Sequence, residues 1–369
     1  MTRLREALDG LAEEAPPVSL ADAAMAGYRR GRRARLAAGT VALAAALGVV
    51  ATMGTIELWP GGVDTAATQE RVTVPDLPTG RVGPAAHAYQ TPCELDKEDR
   101  GPDCSAVEWR VVTRDGRTYA LPDALTAVRG ATRVPVAISR DGRKVAYYSH
   151  DAGTHVVRDL VDGGELTSPV PIPESRIGIG STLAISDDGR YLAFDPREGS
   201  KDPGLLIDLR TGRTTQLPGV YEVVGVKDGV ASLVRYRKTD LWLMPVTGGG
   251  RPVRFDGVFI MFSELAPDDR TVVAVRHSQS GSRELTVLDA RTGRTLRPVP
   301  VRGLPKGSAI DGTGVWLNPK EVTVIAADLR GRYAYAVDVT TGRSRLVADY
   351  GKSSSRTTLA LPGINGEFK

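Results

Sequence analysis

Between residues 109 and 348 the chain alternates short apolar runs with tight turns, and the turns are of two repeating kinds. The first joins two apolar strands through an acidic or Gly turn: VAISRDGRKVAYYS (136–149), LAISDDGRYLAFDP (183–196), VVGVKDGVASLVR (223–235) and ELAPDDRTVVAVRH (264–277), with a degraded copy, VWLNPKEVTVIAAD, at 315–328. Asp-Gly accepts the positive φ of a hairpin turn, and the flanks alternate apolar with polar or small residues, so each segment predicts a β-hairpin. Asp141 with Gly142 and Asp188 with Gly189 are the clearest of these turns. Their recurrence at one position points to turn geometry rather than to catalytic or calcium-binding carboxylates.

The second kind is a strand, a Thr-Gly-Arg turn and another strand: LLIDLRTGRTTQLP (205–218), LTVLDARTGRTLRPV (285–299) and YAVDVTTGRSRLV (335–347), turning on Gly212, Gly293 and Gly342. Variants occupy 156–170, 241–253 and 109–122. The two kinds alternate, giving a four-stranded unit every roughly 40–50 residues with no helical periodicity between, which is the pattern of a β-propeller blade. Five near-complete units and the half unit at 109–122 predict an all-β, six-bladed propeller, with seven blades as the alternative. Ring closure then needs strands from 84–92 or 355–363. ISRDGRKVAYYS, ISDDGRYLAF and LAPDDRTVVAV resemble the turn-bearing hairpins of TolB-like and WD-repeat-like bacterial propellers, although most copies lack Pro before the turn and the Trp-Asp dipeptide is absent. The resemblance covers about 107–348 and implies a fold that hosts binding scaffolds as well as enzymes.

A different pattern precedes the repeats. Leu36 to Ile56 is uncharged for 21 residues, between Arg35 and Glu57. That length crosses one bilayer as a helix. Arg29, Arg30, Arg32, Arg33 and Arg35 stand before it, and Trp59 follows at the place of an interfacial anchor. Positive charge stays inside, so the N-terminus is expected in the cytoplasm and the propeller outside. The expected organisation is a basic cytoplasmic tail (1–35), a transmembrane helix (36–57) in contact with membrane lipid, a Pro/Gly-rich linker (58–83) and the propeller (84–369). Secretion after signal cleavage is the alternative, but the 35-residue leader and long apolar run exceed the usual signal dimensions.

Composition changes this picture little. Of 369 residues 41% are hydrophobic and 25% charged, as in folded proteins. The net charge of +4 is half accounted for by the first 35 residues, which excludes a basic nucleic-acid-binding face. Cys93 and Cys104 are the only cysteines, and export would favour a local disulfide between them.

The candidate chemistry is sparse. His87, His150, His155 and His277 fall in linker or turn positions and read as exposed; GIGST (178–182) has the wrong spacing for a nucleophile elbow, and TGGGR (247–251) lacks the Lys of a phosphate loop. No catalytic, cofactor-binding or metal-ligating residue is assigned, and no cofactor is expected. The leading expectation is a plasma-membrane-anchored, extracytoplasmic, non-enzymatic binding or scaffold module for an envelope protein or small ligand. One alternative is a signalling regulator of anti-sigma type whose tail binds a cytoplasmic regulator; the tail has no His-x₃-Cys-x₂-Cys zinc motif. The other is a metal-dependent hydrolase or lactonase centred on the propeller channel.

Overall fold

The computed structural model describes residues 73–95, 102–128, 132–197, 201–351 and 358–368. The tail, the apolar run and the arginines and Trp59 around it lie outside the described residues. Among the described residues no helix is long and apolar enough to cross a membrane.

Among the described residues six antiparallel blade sheets follow one another, with two small two-stranded pairs, Glu94–Leu95 with Pro102–Asp103 and Ala127–Val128 with Thr132–Arg133, in the connections. Blades 2 to 6 are four-stranded meanders whose first strands are Ala137–Ile138, Thr182–Ile185, Glu222–Lys227, Phe259–Ile260 and Ala309–Asn318. Blade 1 is assembled from both ends of the propeller sequence. Its strands, in order across the sheet, are Leu359–Leu361, Ala85–Gln90, Trp109–Thr113 and Thr118–Leu121. Closure is antiparallel, with Ala88 opposite Ala360 and Tyr89 opposite Leu359. Both segments suggested by the sequence thus enter the closing blade. The count is six.

The buried side chains fall into six clusters, each lying between two neighbouring blades, so the cores themselves trace a closed ring. Their sizes differ. The seam between blades 5 and 6 is built on Trp316, Val273, Val275, Val324 and a dozen further residues. Among the residues whose side chains are described, the seam between blades 6 and 1 has Ile325, Ala334, Leu359 and Leu361 as buried members, with Tyr89, Tyr350 and Ile364 packed against them. A central strand is covered on both faces by the adjoining blades, and every residue of Thr154–Asp159 is buried. The period-2 alternation of a one-sided sheet disappears there.

In such a meander the turns between first and second and between third and fourth strands lie at one end of the blade. The remaining connections lie at the other. We call these ends the turn face and the loop face. Cys93 and Cys104 form a disulfide on the loop face, in the long connection between strands Ala85–Gln90 and Trp109–Thr113.

Residues 75–83, expected to be part of a free linker, are instead fastened to the outside of blades 1 and 2. Asp76 bridges Ala120 in parallel, the Leu77 amide donates to the Ala120 carbonyl (2.8 Å), and the Val82 amide donates to the Leu160 carbonyl (2.8 Å). The buried Arg158 guanidinium donates to the carbonyls of Pro78 (2.9 Å) and Gly80 (3.2 Å). These contacts are mostly made by backbone, which is why the segment carries no apolar periodicity.

Candidate functional site

The turn residues stand where hairpin geometry requires them. Gly142 and Gly189 have φ of 77° and 69°. Asp141 accepts hydrogen bonds from the Ser139 hydroxyl (2.6 Å) and the Arg143 amide (2.9 Å), and Asp188 does the same with Ser186 and Arg190. Gly212, Gly293 and Gly342 turn between third and fourth strands, with φ of 72°, 74° and 71°. The last two have a second duty: a Cβ on Gly293 or Gly342 would overlap the carbonyl of Arg254 or Pro300, at the end of the preceding blade's outer strand. The Thr-Gly-Arg turns are therefore inter-blade joints. The aspartate that opens each turn is held ionised. At Asp208 the Arg190 guanidinium (2.7 Å) lowers the carboxyl to about 2. At Asp289 burial works the other way, but Arg270 and the amides of Arg291 and Thr292 still bring it to about 2.

The channel is where sequence reading missed most. After Leu361 the chain reverses at Gly363 (φ 66°) and returns as a fifth, innermost strand, Ile364–Phe368. That strand approaches the first strands of blades 2, 3, 4 and 6. Only a segment on the propeller axis can neighbour all of them. The chain's own C-terminal strand fills the channel.

On the turn face, the channel mouth is closed by charged groups from successive blades. The Arg140 amide donates to Asp187 (2.9 Å), its Nε to Glu264 (3.0 Å) and its Nη2 to the Trp316 carbonyl (2.6 Å). Lys227 donates to the Leu265 carbonyl (3.0 Å) and lies 3.9 Å from Glu264. Glu264 also accepts from the Trp316 amide (2.8 Å), and its carbonyl accepts from the Trp316 indole (3.0 Å). Blades 2 to 6 are tied across the mouth in this way, and blade 1 joins through the Gly363 amide, which donates to the Ile138 carbonyl (2.9 Å). Burial pushes the Glu264 carboxyl up, against the pull of the Trp316 amide, Arg140 and Lys227. Burial likewise raises Asp187, opposed by the Arg140 amide. The cavity between them is about 20 Å³, room for a water molecule and nothing organic. The site as built is a lock. Arg140, Asp187 and Lys227 occupy the variable position directly before the turn residues Asp141, Asp188 and Asp228, so for these three the available sequence signal was departure from the repeat, whereas Glu264 lies four residues before Asp268 and carries no such signal.

The histidines divide. His150 and His277 are exposed, and His150 pairs with Glu174. His155, expected in a turn, lies 1% exposed in the third strand of blade 2, against the rings of Tyr148 and Phe194. Its Nδ1 is buried without a hydrogen-bond partner, and burial lowers the imidazole to about 3. His87 lies in a strand of blade 1 beside Tyr350, and burial lowers it to about 4. Among the described residues no group of three His, Cys, Asp or Glu is placed to hold a metal ion.

The mouth on the loop face is different in character. Ile179, Val220 and Val258 are 76%, 49% and 40% exposed, and each stands one to three residues before the innermost strand of blade 3, 4 or 5. The three corresponding connections on the loop face thus each carry one exposed apolar side chain. Leu329, in a loop-face turn of blade 6, is fully exposed.

No protein-family model matches the chain, and no curated protein matches it in sequence. Solved structures with a similar fold include TolB from Acinetobacter baumannii, at 15% identity and a TM-score of 0.47 over 77% of this chain and 66% of that one. A chain of a nidogen/laminin complex matches at 11% identity and a TM-score of 0.45, over 75% and 99% respectively. The dihydro-heme d1 dehydrogenase NirN in complex with DHE matches at 17% and 0.40, over 74% and 55%. The chain thus spans about half the length of the dehydrogenase and about two thirds of TolB.

Proposed function

We propose that this chain is a membrane-tethered binding module that displays its propeller outside the cytoplasm and engages a protein through the loop face. The carrying observation is the apolar rim of Ile179, Val220 and Val258 at the mouth opposite the lock. Isolated surface hydrophobics need no explanation, but one on each of three successive loop-face connections supports an interaction surface. The strand on the axis and the water-sized cavity at the turn face favour surface binding over chemistry inside the channel. The tether is the uncharged run 36–56 with its five preceding arginines, and a disulfide in the loop-face connection suits an oxidising compartment.

A photo-reactive residue placed at position 179 of the full-length protein in its native membrane tests the surface. A discrete protein adduct is expected there, absent when the probe sits at Leu346 on a blade edge and lost when Val220 and Val258 are both changed to Asp. Adducts of equal yield at both positions would refute the assignment. Epitopes at each end, followed through fractionation, test the tether: both should remain with the membrane, and a mature chain lacking the first 60 residues would overturn it.

A further inference from the structure

Resting on the loop-face reading, we propose that blades 4 and 5 recognise their partner with two ring-stacked arginines, and that the partner is a protein segment carrying carboxylates among aliphatic side chains. In both blades the exposed valine belongs to the same small unit. Val220 is followed by Tyr221 and Val258 by Phe259, and each ring is covered by a guanidinium from the last residue of the blade's second strand. Arg235 lies 5.5 Å from the Tyr221 ring centre and Arg276 lies 4.7 Å from that of Phe259. Phe259 is the cross-strand partner of Arg276, and Tyr221 stands at the corresponding place, one residue before the Glu222–Val234 pair. Arg276 also reaches back over Gly257, where a Cβ would come within 2.7 Å of its Nη1, so it covers the neighbours of Val258 on both sides. The second strands of blades 1, 2 and 6 end in Gln90, Ser149 and Asp328, so the fold itself does not require the arrangement.

The positive charge of these units is not balanced within the chain. Asp240 is buried between Arg235 and Arg254, one carboxylate for two guanidiniums, and the Arg235 Nε is buried without an acceptor. Among the described residues Arg276 has no carboxylate partner, and neither have the exposed Arg237 and Lys238 in the next loop-face connection of blade 4. Against these cations the loop-face connections of the two blades set one exposed acid, Asp256. Blade 3 differs: its Arg197 lies over Gly178, beside Ile179, but has Asp202 at 3.6 Å. A guanidinium held flat on a ring has lost its rotamer freedom before binding and still offers its N–H edge, which fits a two-oxygen acceptor. Carboxylate and phosphate both meet that requirement. The valine beside each arginine decides for the carboxylate, because a peptide brings an aliphatic side chain to the same place and a phosphate group brings none.

The test measures binding of fluorescein-labelled peptides to the full-length protein: Glu-Val-Glu-Leu-Glu-Val-Glu, a counterpart with Gln for every Glu, and a counterpart with Ser for every Val and Leu. The first is expected to bind saturably and about ten-fold more tightly than either counterpart. Arg276→Gln should remove most of its advantage over the Gln peptide, and Arg276→Lys, which keeps the charge without the planar fork, should not restore it. Arg210→Gln with Arg213→Gln, two exposed charges on the turn face, should leave all three affinities unchanged. Folding is read from the fluorescence of the buried Trp109 and Trp316. If Arg276→Gln does not fold, Arg237→Gln with Lys238→Gln takes its place and should weaken the first peptide alone. No saturable binding of that peptide, equal binding of all three, or no loss in these loop-face variants overturns the proposal. Displacement of the peptide by an equal concentration of inorganic phosphate also overturns it, in favour of a phosphate group. If the adduct at position 179 forms while the peptide results fail, the loop-face reading stands and only the arginine units are removed; if the adduct never forms, both fall.

Discussion

Acidification should weaken this propeller through His155. In the folded chain the ring is buried between Tyr148 and Phe194, its Nδ1 unpartnered, and burial holds it at about 3; unfolding returns it to its ordinary value of 6.5. Between those limits the unfolded state binds a proton that the folded state cannot, so stability falls as pH falls. The contribution is intact above pH 6.5 and declines down to about 3. At pH 5 the unfolded state gains 1.5 pH units of protonation, a loss of about 2 kcal/mol, a large share of a typical domain's total. His87, lowered to about 4, adds in the same direction, whereas the raised carboxyls of Glu264 and Asp187 act oppositely and Asp208 and Asp289 remain ionised at pH 5. His155→Phe isolates the term, because the other groups are common to both proteins. Guanidinium unfolding followed by Trp fluorescence at pH 7.5 and pH 5 should show the unaltered protein losing about 2 kcal/mol more than the variant. Equal losses would mean that His155 is hydrated or hydrogen-bonded in the folded chain, and the argument fails.

Other substitutions probe the joints and the lock. Gly293→Ala and Gly342→Ala should each cost about 3 kcal/mol, combining left-handed strain with a clash against the preceding blade. Gly116→Ala, at φ 86° with nothing near its Cβ, should cost about 1 kcal/mol, and equal melting temperatures for the three would remove the joint role. Arg140→Ala leaves Glu264 buried beside only Lys227 and the Trp316 amide, and should destabilise by about 2 kcal/mol. Adding Glu264→Leu should recover part of that loss, and strictly additive losses in urea unfolding would show that the two side chains do not depend on each other. Reducing the Cys93–Cys104 bond should lower the thermal midpoint by the equivalent of about 2–3 kcal/mol, against no change in a Cys93→Ser, Cys104→Ser protein given the same reductant.

The architecture was legible because a propeller repeats its local chemistry. Asp141-Gly142, Asp188-Gly189 and the Thr-Gly-Arg turns each need a positive φ within three or four residues, and that requirement is written locally. His155 was hidden because its strand is covered by blades on both faces, so no alternation separates buried from exposed positions. Arg158, in the same strand, is buried for the same reason and is satisfied by carbonyls some 80 residues away, which no local pattern records. The lock escaped because Arg140, Asp187, Lys227 and Glu264 come from four blades and meet only once the ring has closed. Ile364–Phe368 is a single short strand with no second copy, and its place on the axis depends on the small residues Gly314 and Gly363, neither of which repeats.

Closure sets blade 1 apart from the other five. Blades 2 to 6 are each built from consecutive strands, so their hairpins form from neighbours in sequence. Blade 1 pairs Ala88 with Ala360, and that contact must close a loop of about 270 residues. The entropic cost of so long a loop exceeds that of a short one only logarithmically, but it is incurred before any contact across the final seam offsets it. The pairing of Ala85–Gln90 with Leu359–Leu361 is thus the one blade contact that neighbours in sequence cannot make, and folding of the ring is expected to end on it.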